Sequence, residues 1–554
     1  MRTSTYEIFL PLIGRREDGA SGAPGDTSAS MRVGRNEKLI EDRALLVNGL
    51  YGAVDVVTKE DADKIAAGDF TKLPLSVFER LSLRGHITRK TEEEEIADMR
   101  LLSRVHKTIP ARSGVGLVIM PTYDCNFRCP YCFEQHRLEN GEAWLANAMS
   151  DETMDAIFAA LDDYKARGYA LGDCTLYGGE PFLERNLAVV RRIAEKCKAR
   201  GMKMDVITNG YELESFLDFI EEYKIYQLQI TVDGTAEIND RRRLHKDGLP
   251  TYDRILKNVE LALQRGVAIS LRVNVGHENL HGIGALVEDL KARGFIEKEK
   301  ARAAEEKELR KQDENAKTKR GYFSYYFKAT NDDAHPEKNV SEQAIIDELL
   351  KLGFTAEEAI VRESQYGSIA EGMRELFRKE SFPRFSPLYC GAEGGMLVVD
   401  PFGKVYTCWD VVAQDESSVG HADPNLGRFL WNFNKAKWRV RTTDSMEACR
   451  ACPYAFICRG GCASRANYEH GSFFREYCGE VKEIFAFVAS RVAGERWEKD
   501  HDEEMTLSLA GPLSRLTAAE RETIMTTKSQ KEMFAIVKEL GLFAGGEEEE
   551  KEGN

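Results

Sequence analysis

Cys125-Asn126-Phe127-Arg128-Cys129-Pro130-Tyr131-Cys132 sets three thiols on one short loop. The run before it, Val115–Thr122, is continuously apolar, as a strand buried on both faces requires. The C-terminal end of such a strand is where α/β barrels carry their chemistry. Three sulfurs on one loop can reach three corners of an iron–sulfur cube, whose four irons normally take four cysteines. The next cysteine is Cys174, so one iron is left open to an outside ligand. Zinc is the competing reading, because it takes thiolates tetrahedrally, but its usual spacing is two CxxC pairs.

Outward from this loop, apolar runs alternate with amphipathic segments. Strands are expected at Thr175–Tyr177, Met204–Thr208, Tyr226–Val232, Ala268–Val275 and Tyr322–Lys328. Helices are expected at Glu152–Arg167, Leu187–Arg200, Leu213–Tyr223, Tyr252–Arg265, Leu280–Arg293 and Ser341–Leu352. Repeated strand–helix units imply a parallel sheet with helices outside it. The fold class is α/β, a partial (β/α)6 barrel over residues 109–350 with its active centre at the strand C-termini. Lys298–Arg320 is densely charged and reads as a solvent-facing helix.

Upstream, Tyr6–Leu12, Ala44–Gly49 and Ala53–Thr58 read as strands, and Lys59–Ala67, Leu75–Arg84 and Glu92–His106 as helices. Asp18–Ser30 is a Gly/Ser-rich loop. Downstream, residues 351–480 are cysteine-rich and turn-rich. Residues 481–554 return to helices, at Glu480–Trp497, Thr517–Thr526 and Gln530–Leu542, and end in an acidic tail, Glu547–Asn554.

The chain has 554 residues, a formal net charge of -15 and 42% hydrophobic residues. The charge argues against a general nucleic-acid binder. No apolar run is long enough for a membrane span, and the N-terminus lacks signal-peptide order. A cytoplasmic protein is expected. Twelve cysteines in a reducing compartment point to metal or catalysis before disulfides.

The spacing CxxxCxxC, with an aromatic before the last cysteine, resembles the radical SAM superfamily. Tyr177-Gly178-Gly179-Glu180-Pro181, one strand–helix unit later, resembles that family's GGE motif. Two glycines let backbone approach a ligand, and Glu180 can pair with an ammonium. The resemblance implies S-adenosylmethionine at the open iron of a 4Fe–4S cluster held by Cys125, Cys129 and Cys132. It also implies a cofactor cavity lined by Tyr131, Gly178, Gly179, Glu180, Pro181, Thr208, Asn209, Asp233, Arg272 and Asn274. Asp233–Arg243 (DGTAEINDRRR) resembles the same region of peptide-modifying members.

Cys390, Cys408, Cys449, Cys452, Cys458, Cys462 and Cys478 resemble, in order and spacing, the SPASM domain with its auxiliary clusters. The family division assigns Cys390, Cys408 and Cys462 to one 4Fe–4S cluster. Cys449, Cys452, Cys458 and Cys478 go to the other, which makes three clusters in all. Seven thiolates are one short of eight irons. The first auxiliary cluster therefore has an open iron or borrows a ligand, for which Glu393, Asp400 and Asp410 stand as candidates. An open iron could take a substrate thiolate. Cys174 and Cys197 read as buried core thiols.

The N-terminal module, residues 1–108, resembles the winged-helix recognition element of ribosomal-peptide modifying enzymes, which bind a leader peptide as an added strand. A structural cap on the barrel is the other reading. The resemblance implies a 5′-deoxyadenosyl radical that takes hydrogen from a carbon of a precursor peptide. A thioether crosslink is the most specific expectation. A flavodoxin or ferredoxin would donate the electron, and neither nucleic acid nor membrane is a partner. Formylglycine formation of the anaerobic sulfatase-maturase type is the rival, along with carbon–carbon or carbon–oxygen crosslinking and epimerisation. In the sulfatase type an Asp base follows the second SPASM cysteine. Here Trp409 follows Cys408, and the acid is displaced to Asp410, a candidate general base. An electron-transfer protein is the reading from another class, and the GGE motif argues against it.

Overall fold

Apolar runs followed by amphipathic helices build the body of the molecule. The computed structural model describes residues 1–15, 33, 36–108, 115–313, 315–332, 335–379, 387–500, 505–508, 517–527, 532, 535, 536 and 539. Six parallel strands lie side by side in chain order: Val115–Ile119, Leu171–Leu176, Met204–Thr208, Gln227–Thr231, Ala268–Val275 and Phe323–Ala329. Phe323–Ala329 stands at one edge of the sheet, so the barrel is open. The intervening helices bury one face each. Asp151–Ala166 starts on a Ser150 side-chain cap to Thr153 N–H. Tyr252–Gln264 buries Tyr252, Ile255, Leu256, Val259, Ala262 and Leu263. Cys174 and Cys197 are fully buried core thiols.

Beyond the first strand the sheet continues. Leu397–Val399 adds parallel to Val115–Ile119, and Lys404–Tyr406, Gly420–Asp423 and Arg428–Trp431 follow antiparallel, giving a ten-stranded sheet. The cysteine-rich segment is thereby fastened beside the cluster loop by backbone hydrogen bonds. Helices Ala356–Arg362 and Ser364–Lys379 also lie in this stretch.

The charged stretch near residue 300 is partly helical, over Phe295–Leu309. Arg302 pairs with Glu299 and Glu306, and Lys298 and Arg320 both reach Glu260. These pairs hold its polar surface against the barrel.

The N-terminal strands Glu7–Arg15, Glu37–Asn48 and Val54–Thr58 form an antiparallel meander, followed by helices Lys59–Ala67, Leu75–Leu83 and Glu92–Thr108. Both faces of this sheet are covered. Ala44, Leu46 and Val57 pack on Ile65, Val77 and Leu81, while Leu45, Val47, Val54 and Val56 join the main core. A fourth strand comes from far along the chain. Met505–Ser508 pairs antiparallel with Val54–Thr58, where helix alone was expected from the sequence. The opposite edge, Glu7–Arg15, lies under helix Val481–Asp500. That helix is buried from Ile484 through Gly494, as a helix apolar on every side must be. A Cβ on Gly494 would collide with the Ile13 carbonyl, so the close approach requires glycine.

The loop Asp18–Ser30, the acidic tail and most of Gln530–Leu542 lie outside the described residues. Among the described residues no helix is long and apolar enough to cross a membrane.

Candidate functional site

The cluster loop is held from two sides. Arg128 N–H donates to the Leu244 carbonyl at 2.7 Å and Lys246 N–H to the Asn126 carbonyl at 2.8 Å. Asn126 accepts from Asn209 Nδ2 at 2.7 Å and donates to Glu212 at 3.0 Å. The Phe127 ring packs edge-on to Tyr211 and His245. Burial, Glu180 and the neighbouring Cys129 push the Cys125 thiol up, and burial and Cys129 push Cys132 up to about 12. Three thiols that oppose one another's ionisation are a donor set for a cation that ionises them. Among the described residues no three His, Cys, Asp or Glu side chains converge on one metal ion. A cube does not ask for that, because it takes one thiolate per iron. The donor chemistry fits an iron–sulfur cluster.

Gly178 and Gly179 turn with φ of 84° and 53°. A Cβ on Gly179 would run into the backbone of Tyr123 and Asp124, so this turn needs glycine. The close approach lets Glu180 N–H donate to the Asp124 carbonyl at 2.7 Å, which ties the turn to the residue before Cys125. The Glu180 carboxylate is 2% exposed. It accepts from Phe182 N–H at 2.8 Å, Thr208 Oγ1 at 2.6 Å and Asn209 N–H at 2.6 Å. Burial raises it to about 7 against the pull of those donors. A cationic ligand would hold it ionised. Pro181 is buried beside it.

The ends of the fourth and fifth strands meet the loop at Tyr131, whose hydroxyl donates to Asp233. Arg243 donates to that hydroxyl at 2.8 Å, and Arg242 lies over the ring at 4.8 Å. Asp233 also accepts from Asn274 N–H at 3.2 Å, and Arg272 Nε donates to Asn274 at 2.8 Å. The structure thus brings Tyr131, Asp233, Arg272 and Asn274 together. Two cations that sequence reasoning did not single out, Arg242 and Arg243, join them. Their only signal was the basic run that ends DGTAEINDRRR.

Glu134 and Arg137 were also missed. Glu134 accepts from Gly179 N–H at 2.8 Å and ion-pairs with Arg137. Arg137 is 1% exposed, with its guanidinium 4.2 Å from the Tyr123 ring centre. Burial lowers it to about 10. This pair links the end of the cluster loop to the glycine turn.

An aromatic wall joins the barrel to the cysteine-rich segment. Tyr123 stacks on Trp144 at 5.1 Å, Trp144 meets Phe402 at 5.4 Å, and Tyr177 meets Trp409 edge-on at 6.0 Å. Burial, the largest influence, raises Tyr177. Arg272, Cys132, Asp410 and Arg137 all bear on it as well. Tyr177, next to the glycine turn, thus touches Trp409, the residue after Cys408.

In the second group, Arg441 is 1% exposed and holds the knot. It donates to the carbonyls of Gly460, Gly461, Phe473 and Arg475 at 2.6–3.0 Å and pairs with buried Glu393. Burial pushes Cys390 and Cys458 up to about 11 and Cys449 up to about 12, with neighbouring thiols adding to each. Cys408 is raised by burial and by Asp410, and Cys462 by burial, with Asp410 contributing. Of the three carboxylates considered as an eighth ligand, Glu393 is engaged by Arg441 and by Tyr389 N–H at 2.6 Å. Asp400 is engaged by Tyr123 Oη at 2.9 Å and by Phe402 and Lys404 N–H. Asp410 follows Cys408 by two residues, and its charge raises both Cys408 and Cys462. It faces a cleft of about 470 Å³ lined also by Lys437, Trp438, Tyr468 and Phe473.

Residues 119–290 match the Radical SAM superfamily. The cysteine-type anaerobic sulfatase-maturating enzyme of Clostridium perfringens (strain 13 / Type A) is 23% identical over 398 residues, 68% of this chain and 97% of that one. Among solved structures, anSMEcpe with bound AdoMet superposes with a TM-score of 0.49 at 20% identity, covering 69% of this chain and 94% of that one. Streptococcus suis SuiB bound to precursor peptide SuiA gives a TM-score of 0.43 at 15% identity, covering 80% and 96%.

Proposed function

From a radical SAM domain over residues 119–290, we propose that this enzyme modifies a ribosomally made precursor peptide, joining a cysteine sulfur to a carbon as a thioether. The observation that carries the proposal is that Leu397–Val399 pairs with the strand before the cysteine loop and that Trp409, after Cys408, meets Tyr177 edge-on at 6.0 Å. It supports reading the two cysteine groups as parts of one site.

Cys125, Cys129 and Cys132 would hold one 4Fe–4S cluster, and the seven later cysteines two more. Bound there with S-adenosylmethionine, the first cluster supplies a carbon radical able to abstract hydrogen. Glu180, raised by burial, would take the cofactor's ammonium and be ionised by it. Thr208 and Asn209 fix that carboxylate, and Gly179 lets the loop close over it. Tyr131, Asp233, Arg243 and Asn274, joined by hydrogen bonds, would line the same site. Tyr123, Trp144, Phe402, Tyr177 and Trp409 keep water from a reactive carbon.

Thioether formation removes two hydrogens from the peptide: one leaves carbon as an atom taken by the cofactor's radical, one leaves the thiol as a proton, and the remaining electron would pass to an auxiliary cluster. Asp410, two residues after Cys408 and in the lining of the cleft, would receive the thiol proton. Glu393 and Asp400 are bound elsewhere. Of the three carboxylates, that leaves Asp410 or a substrate sulfur for the position the seven thiolates do not fill. A small electron carrier would supply the reducing electron.

Formylglycine formation is the second reading, because a sulfatase-maturating enzyme is a relative that aligns over 68% of the chain. Mass spectrometry of a coexpressed precursor peptide separates the two. The thioether predicts loss of two hydrogens with sulfur retained. Replacement of sulfur by oxygen would move the assignment to formylglycine, and an unchanged mass would move it to epimerisation.

A further inference from the structure

A second cleft lies at the other end of the barrel from the cysteine loop. It is walled by the end of helix Asp151–Ala166, strand Arg428–Trp431 and helix Phe433–Val440, and encloses about 410 Å³. Tyr169, in its lining, stands two residues before strand Leu171–Leu176 begins, whereas the cysteine loop follows the end of the neighbouring parallel strand. One strand length, about 16 Å, separates the two. Four rings make the wall. Tyr164 stacks on Tyr169 at 4.1 Å and meets Phe429 and Trp431 edge-on at 6.4 Å each. Phe429 and Trp431 are 5.2 Å apart.

Lys435 and Arg439, one helical turn apart, share a face of their helix and both line the cleft. The Lys435 ammonium rests on the Trp431 ring, 2.8 Å from its centre, and 5.6 Å from that of Tyr164. These two cations lack a counter-ion. Among the described residues, neither side chain has a hydrogen bond or an ion pair. Asp162 and Asp163, the acids at this end of the facing helix, are taken by Arg200 and Arg167. Burial, with Arg439 adding to it, lowers the Lys435 ammonium to about 7. In a chain of net charge -15, two adjacent uncompensated cations beside stacked rings are a local exception. An anion between them would relieve both the burial of one charge and the repulsion of the two.

We propose that this cleft binds a mononucleotide, its base lying against Tyr164, Tyr169 and Trp431 and its phosphate between Lys435 and Arg439. Each part of the ligand answers one feature. Any nucleobase has a face that stacks on aromatic side chains. A phosphate monoester carries about two negative charges at pH 7, which matches two cations where a carboxylate would match one. The volume falls near the low end of the range of about 300–1,000 Å³ for small-molecule sites, room for one nucleotide and not for a strand. Lys435 then moves its ammonium from the Trp431 face to the phosphate.

The test is isothermal titration of the full chain with AMP and UMP, one purine and one pyrimidine, beside adenosine, ribose 5-phosphate and indole-3-acetate. Saturating S-adenosylmethionine keeps the nucleotides from the site at Glu180. The tighter of AMP and UMP should bind at least tenfold more tightly than each of the other three compounds. Amide exchange over residues 428–440 should slow when it binds. Two variants locate the site: Lys435→Met with Arg439→Gln, and Tyr169→Ser at an exposed ring. Each should lose about tenfold in nucleotide affinity. Equal affinity in wild type and the double variant would overturn the proposal, as would heat of binding without slowed exchange over residues 428–440. Loss in the double variant with none in Tyr169→Ser would show an anion patch without base recognition, which overturns it too. Indole-3-acetate binding as tightly as either nucleotide would do the same, and so would a wild-type chain that binds neither nucleotide.

Discussion

Arg441→Met is the most informative single substitution in the cysteine-rich segment. Arg441 is 1% exposed, pairs with buried Glu393 and donates to four carbonyls, those of Gly460, Gly461, Phe473 and Arg475. Gly460 and Gly461 lead from Cys458 into Cys462, and Phe473 and Arg475 lead to Cys478. The guanidinium thus sets the spacing of ligands proposed for both auxiliary clusters. Removing one partner of a buried ion pair costs about 3–5 kcal/mol. Each carbonyl left short of a donor adds about 1 kcal/mol. The sum is a large part of the roughly 5–15 kcal/mol that holds a domain folded. Reconstituted R441M should therefore keep only the first cluster, with iron falling from about twelve to about four per chain, and should unfold at lower temperature. R441K cannot reproduce the planar fork and should recover little. Adding Glu393→Met removes the stranded carboxylate, and the double variant should regain about 2–3 kcal/mol over R441M. The assays are iron content and thermal unfolding. Full iron in R441M, or strictly additive costs in the double variant, would refute the reasoning.

Gly179→Ala forces a Cβ into the backbone beside Cys125 at a φ of 53°. The variant should lose at least a hundredfold in S-adenosylmethionine cleavage, about 2.7 kcal/mol, with circular dichroism unchanged. His86 gives a pH test. Burial works against its charge, but Glu7 and Asp55 outweigh that and raise it to about 9. With a folded value above the unfolded one near 6.5, its contribution is full below pH 6.5 and is lost as pH rises through about 9. Thermal unfolding should show a loss on the order of 3 kcal/mol across that window, and His86→Gln should flatten it.

The barrel was legible because its strands are short apolar runs and its helices have one apolar face, both local properties. Met204–Thr208 and Ala268–Val275 have the bounds that their periodicity implies. Met505–Ser508 was not legible: two apolar residues in four make no pattern, and its partner strand is remote. Leu397–Trp431 was obscured in the same way, by strands of three or four residues among turns. In the site, thiols and glycines declared themselves through spacing. The buried cations Arg137 and Arg441 did not, because arginine in a sequence reads as surface. The carboxylates considered as an eighth ligand could be sorted only once Arg441 and Tyr123 were seen to occupy Glu393 and Asp400.

The central claim is that the loop of Cys125, Cys129 and Cys132 and the turn ending at Glu180 form one site for reductive cleavage of S-adenosylmethionine. Anaerobically reconstituted protein, reduced and given the cofactor, should release 5′-deoxyadenosine. The variant with all three cysteines changed to alanine should release none while keeping about eight irons per chain in its auxiliary clusters. Equal product from that variant, or none from wild type holding about twelve irons, would contradict the account.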